Sequence, residues 1–190
     1  MSLMMQNFLL FQLGWFSCVI GGSSPSYYWV GVAVVAVVIT LHLIRAGDTR
    51  DERFLIAITM ILGSAWDSGL LLVGLFTFQY GMITAELVPL WMIAMWALFA
   101  TTLNVSMKWM KGRYLLAAAF GALGGPLAYY AGHRLDAVDF SDTTTALFAV
   151  AAGWAVIMPL LMWLSEHFNG YRPSRDQVYE EGRYDESMGQ

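Results

Sequence analysis

The sequence predicts an all-α fold, specifically a polytopic membrane helix bundle of six transmembrane helices with the N-terminus and C-terminus both cytoplasmic. Three observations carry that expectation. Apolar stretches of membrane-crossing length recur almost back to back through 190 residues that are 58% hydrophobic and 13% charged, where a soluble domain carries roughly a quarter charged residues. The connections between these stretches are short and rich in turn residues. Nine of the ten Lys and Arg residues fall in alternate connections or in the C-terminal tail, and positive charge near span ends is retained on the cytoplasmic side.

The first span is expected over 3–20. It is read as a span rather than a cleaved leader because Met1 to Asn7 carries no Lys or Arg. Gly21 to Ser26, with Pro25, form a turn before the second span at 27–44. The second loop, Arg45 to Arg53, holds Arg45, Arg50 and Arg53, and the third span follows at 54–76. A loop at Gln79 to Ala85 leads to the fourth span, 86–106, and the fourth loop holds Lys108, Lys111 and Arg113. The fifth span covers 114–132, the loop His133 to Asp142 contains the single basic residue on the other side, Arg134, and the sixth span covers 143–165. Tyr27, Tyr28, Trp29 and Tyr80 on one side and Trp109, Tyr114 and Tyr171 on the other fit interfacial aromatic belts. Residues 1–168 therefore form the transmembrane domain, and 169–190, polar and mixed in charge, read as a disordered cytoplasmic tail.

The net charge of -4, without a dense basic cluster, excludes nucleic acid as a partner and leaves membrane lipids, with a membrane protein or a second copy of the chain as further partners to consider. Cys18 is the only cysteine and lies in the first span, so no disulfide within the chain is available. No HExxH, GxSxG or phosphate-cradling loop occurs, so neither a catalytic residue nor a cofactor is assigned. His42, His133 and His167 lie at different depths, and no metal site is expected from them.

Two polar layers stand out inside the spans. Asp67 lies about 21 Å along a helix from Arg53, beyond the bilayer midplane, where an ionisable group must face the bundle interior and find partners. Ser64, Ser68 and Leu71 share its face. The fifth span runs the opposite way and brings Tyr129 to the same depth, with Tyr130, His133 and Arg134 just outside. These give one candidate polar site: Asp67, Ser68, Tyr129, Tyr130, His133 and Arg134. A second candidate site lies nearer the cytoplasm, where Thr101, Asn104 and Lys108 share a face of the fourth span and His42 is at similar depth. Each layer has interhelical hydrogen-bonding glue as its alternative reading, the commoner role of Thr and Asn inside a bundle. In the fifth span Gly121, Gly124 and Gly125 form a small-residue surface for helix packing, and Pro126 removes one backbone hydrogen bond and predicts a kink.

The segments WDSGLLLVG from Trp66, LFATTLN from Leu98 and GGPLAYYAG from Gly124 resemble an uncharacterised family of small multi-pass bacterial inner-membrane proteins, a domain-of-unknown-function family with FATTLN and GGPLxYYAG motifs. The chain departs from the family pattern at Val105, where a histidine is common, and at Asp136, where a glycine is common. The resemblance implies a bacterial inner (cytoplasmic) membrane. It also implies proximity to enzymes that modify unsaturated membrane fatty acids, hence a lipid-related role in fatty-acid modification or membrane stress. The expected function is binding or modifying lipid acyl chains or a lipid-like molecule. A small-molecule transporter or substrate-capture subunit and a structural accessory subunit of a membrane complex are the alternatives.

Overall fold

The computed structural model describes residues 1–171, and they form an all-helical bundle. Its six helices are α1 (Leu3–Gly22), α2 (Tyr28–Arg45), α3 (Thr49–Leu72), α4 (Leu90–Leu103), α5 (Tyr114–Arg134) and α6 (Thr143–His167). Five of them, all but α4, are long and apolar enough to cross a membrane. Local chemistry sets several boundaries. The Ser2 hydroxyl accepts from the Met5 amide at the start of α1, Asp48 accepts from Arg50 and Asp51 at the start of α3, and Asp142 accepts from Thr145 at the start of α6. That hydrogen bonding holds the Asp142 carboxyl below its usual range.

The fourth element departs from expectation. A span over 86–106 is predicted, but the helix covers only 14 residues, about 21 Å against a hydrocarbon core of about 30 Å. Pro89, extended and without an amide proton, starts it, and at Asn104 the chain leaves the helix for a tight turn and a 3-10 turn at Lys108–Met110. What α4 lacks in length it has in burial. Trp91, Met92 and the unbroken run Trp96 to Leu103 are buried, because α4 packs against α1, α2 and α3 at once.

The helices form two groups. In one group α1, α2 and α3 pack around α4; in the other α5 packs mainly on α6, which in turn meets α3. Asn7 donates to the Thr101 carbonyl and Gly22 lies against the Trp91 indole, so α1 and α4 run antiparallel with the N-terminus beside the end of α4. Leu3 and Phe168 therefore mark one end of the bundle, here termed the termini end. At the opposite end the chain between α3 and α4 meets the chain between α5 and α6 in a two-residue antiparallel ladder, β1 (Phe76–Thr77) with β2 (Asp139–Phe140), in which Phe76 pairs with Phe140. The Ser141 hydroxyl donates to the Gly74 carbonyl and closes the same corner.

At the α5–α6 contact two of the three glycines, Gly121 and Gly125, lie against α6. A Cβ at Gly121 would meet the Trp154 carbonyl and one at Gly125 the Trp154 ring, whereas Gly124 faces open space, with only Phe120 near. Helix α5 is continuous through Pro126. Similar close approaches occur at Gly63, beneath the Trp96 indole, and at Gly153, beneath Trp66. Cys18 is fully buried. A clear contrast follows: Gly125→Leu forces Trp154 aside and lowers stability by about 1–3 kcal/mol, while Gly124→Leu leaves stability near wild type. Thermal unfolding of both variants in detergent checks this, and equal melting temperatures would remove the packing argument.

Candidate functional site

Two polar clusters and one cavity organise the interior. The first cluster is centred on a residue that sequence reasoning placed in a loop. Glu52 lies in the first turn of α3 and is fully buried. Its Oε2 lies 2.6 Å from His42 Nε2 of α2. Its Oε1 accepts from Asn104 Nδ2 at 2.6 Å and from the Gly170 amide at 2.9 Å. Asn104 is itself saturated: Nδ2 also donates to the Phe168 carbonyl at 2.9 Å, and Oδ1 accepts from Lys111 Nζ, which donates in addition to the Ser165 carbonyl at 3.0 Å. The Tyr171 hydroxyl donates to the His42 carbonyl at 2.7 Å and lies 3.2 Å from His42 Nδ1. Burial, reinforced by the negative charge of Glu52, pushes the Tyr171 hydroxyl up to about 12, so it stays a donor at neutral pH.

This arrangement corrects several expectations. His42 and Asn104 belong together as predicted, but Glu52 joins them. The cationic partner is Lys111 rather than Lys108, which sits exposed in the 3-10 turn. The Thr101 hydroxyl turns back to the Leu98 carbonyl and takes no part. The polar segment expected from 169 onward begins as packed structure: the Gly47 and Asp48 amides donate to the Gly170 carbonyl, and Phe168 stacks on Phe54. The rest of that segment, 172–190, lies outside the described residues.

The second cluster is small and wholly buried. Asp67 Oδ2 accepts from the Trp96 indole at 2.7 Å, and Oδ1 accepts from the Tyr129 hydroxyl at 2.6 Å. The predicted depth match between Asp67 and Tyr129 holds, and Trp96 is the partner that sequence reasoning missed. Ser68 accepts from the Val88 amide and fixes the entry to α4. The remaining members stand apart. Tyr130 and Arg134 are exposed, and His133 lies 3.0 Å from the Val138 carbonyl and 3.7 Å from Asp139 on the ladder side. Stacking extends the cluster, since Trp96 lies flat on Trp154 at 4.9 Å and Tyr129 on Phe76 at 5.4 Å. Among the described residues no group of three or more His, Cys, Asp or Glu side chains comes together as a metal site.

Between the two helix groups lies a cleft of about 440 Å³, walled by α1 and α4 on one side and α5 on the other. Apolar and aromatic side chains dominate its lining, among them Phe11, Trp15, Trp96, Phe99 and Tyr129. Asp67 does not line it. The carboxyl stands behind the wall and holds Trp96 and Tyr129, one from each helix group, in place. Gly121, Gly124 and Gly125 provide a flat α5 wall, so the small-residue stripe serves both the α6 contact and the cavity. Several lining residues midway along α1 and α5 are themselves exposed, Phe16 and Leu127 among them. The cleft thus opens sideways between two membrane-length helices rather than at an end of the bundle.

Residues 4–160 match the family described as "Protein of unknown function (DUF2878)", and the chain belongs to that family. It matches no curated protein and no solved structure. The buried network at the termini end makes a separable prediction. Glu52→Ala strands His42, Asn104 and the Gly170 amide, and should cost about 3–5 kcal/mol and speed chymotryptic cleavage at Tyr171. Glu52→Gln retains one acceptor oxygen and should lose less. Unchanged unfolding and cleavage in Glu52→Ala would show that the network carries no structural weight.

Proposed function

We propose that this chain is a six-span protein of the bacterial inner membrane, with both termini in the cytoplasm, that takes the acyl chain of a lipid or a lipid-like molecule into its lateral cleft. The observation that carries the reading is the cleft itself. Its volume of about 440 Å³ falls in the range of ligand pockets, roughly 300–1,000 Å³. Its lining is aromatic and aliphatic, and its exposed lining residues midway along α1 and α5, Phe16 and Leu127 among them, face where bilayer hydrocarbon would lie. A molecule already dissolved in the bilayer enters such a cleft without crossing water, and rigid rings give it contact surface at little entropic cost.

Asp67 acts here through Trp96 and Tyr129. With one oxygen spent on each ring, it is a positioning residue that sets the width of the cleft between α4 and α5. A capture subunit for a small polar solute draws less support, because the two buried polar clusters spend their charged groups on each other or on backbone rather than on the cavity. The orientation rests on the basic residues of the second and fourth loops, which share the termini end.

Two experiments test the reading. Filling the cleft with Gly124→Leu should abolish co-purification of an apolar ligand seen by native mass spectrometry, at unchanged stability; identical ligand occupancy in wild type and variant would overturn it. For the topology, a cysteine replacing Glu86 in a Cys18→Ala background should react with a membrane-impermeant maleimide applied from the periplasmic side, and one replacing Lys108 should not. The reverse pattern would invert the assignment.

A further inference from the structure

The chemistry of the cleft changes along its length. From the level of Trp96 towards the ladder its walls are aromatic and aliphatic; the Tyr129 hydroxyl and the Trp96 indole are committed to Asp67 and the Trp91 indole to the Tyr80 carbonyl, while the buried Trp154 indole N–H, beneath Trp96, has no hydrogen-bond partner among the described residues. From Trp96 towards the termini end three polar side chains line it: Gln12 of α1, Thr102 of α4, and Ser106 in the turn that follows. Thr102 donates to the Phe99 carbonyl at 2.6 Å. Gln12 and Ser106, by contrast, make no hydrogen bond within the described residues, although both are only partly exposed. A carboxamide and a hydroxyl facing an apolar cavity without partners represent unmet hydrogen-bonding capacity, and a ligand that supplies partners gains by it. Among the described residues no Asp, Glu, Lys, Arg or His lines the cleft.

Resting on the reading that the cleft holds an apolar chain, we propose that its ligand is a single-chain amphiphile with an uncharged, hydrogen-bonding head, such as an alcohol, ester or amide, seated with the head between Gln12 and Ser106 and the chain along Trp96 and Tyr129. Three features select this class. Gln12 offers both donor and acceptor atoms and Ser106 a hydroxyl, which suits a neutral head that donates and accepts. A phosphate, sulfate or ammonium placed there has no counter-charge on the lining and is penalised by the low dielectric. The volume suits one chain, and a diacyl lipid body exceeds it. The turn at Asn104 is what makes this possible: had α4 continued as a helix through residue 106, the chain that brings Ser106 and Met107 to the cleft would run on past it.

The test compares three probes of equal chain length, hexadecanol, hexadecyl sulfate and hexadecyltrimethylammonium, competing for the purified full-length protein in a neutral detergent, with bound probe counted by native mass spectrometry. Hexadecanol should bind at least about tenfold more tightly than either charged probe, equivalent to about 1.4 kcal/mol. The double variant Gln12→Leu, Ser106→Ala should reduce that preference several-fold while still binding. Equal affinities for the three probes, or a preference that survives the double variant, would overturn the head assignment and leave the cleft reading intact. If no probe binds wild type and Gly124→Leu changes nothing, the cleft reading itself fails, and the head assignment with it.

Discussion

A fully buried carboxyl, Glu52, accepting hydrogen bonds from three separate parts of the chain, is the constraint on which the termini end of the bundle depends. Taking a carboxylate out of water costs several kcal/mol, and the cost is offset only when its lone pairs are met by well-placed donors. The donors available are His42 from α2, Asn104 from the end of α4, and the Gly170 amide beyond α6, so meeting the requirement fixes those three segments around α3. The order propagates outward. Asn104 must present its side chain to Glu52, Phe168 and Lys111 together, and it does so at the point where α4 ends. The short central helix and the turn beyond it accompany that commitment, and the turn delivers Ser106 and Met107 to the cleft.

The second buried carboxyl, Asp67, works differently. It gathers only two donors, but they come from the two helix groups, Trp96 from the α4 side and Tyr129 from α5. Since α5 packs mainly on α6, this bridge and the ladder between Phe76 and Phe140 add to the α6–α3 contact in tying it to the remainder of the bundle. The cavity that remains is therefore a spacing built into the packing. Its aromatic walls are pinned by hydrogen bonds and stacking, while its α5 wall is kept flat by glycines, two of which, Gly121 and Gly125, also seat Trp154. Rigid walls with a sideways opening suit a flexible apolar chain, because the chain supplies the adaptability and the protein loses little entropy on binding.

Much of this was legible in the residues. The depth of Asp67 and of Tyr129 follows from counting at helical rise from opposite ends, and the contact is found. Glu52 falls inside the loop expected over Arg45 to Arg53, where an acidic side chain meets water and needs no partner, whereas α3 begins at Thr49 and carries it inward. A signal did exist: Glu52, Ile56, Thr59, Gly63 and Asp67 fall on one helical stripe, so extending the face of Asp67 backwards reaches it. Lys108 shares the Asn104 face at helical spacing, but that spacing lapses once the helix stops at Leu103, and Lys111 makes the contact instead. Tyr130, His133 and Arg134 were grouped with Asp67 by proximity in sequence and depth, but consecutive helical positions point about 100° apart, and only Tyr129 faces inward.

Read along the chain alone, the residues give a bundle of apolar helices, the approximate order of its turns, a small-residue surface on the fifth helix, and the level at which a carboxyl must find partners. These are consequences of hydropathy, helical rise and steric size, all local properties. Tertiary structure alone decided that α4 is too short to follow the others, that Glu52 is interior, that Trp96 completes the Asp67 pair, and that α5 stands off from α1 to leave a cleft. The reason is physical. Whether a side chain is a surface charge or a buried hub, and whether two helices touch or part, depends on which neighbours the whole packing brings within about 3 Å, and no periodicity along one segment contains that information.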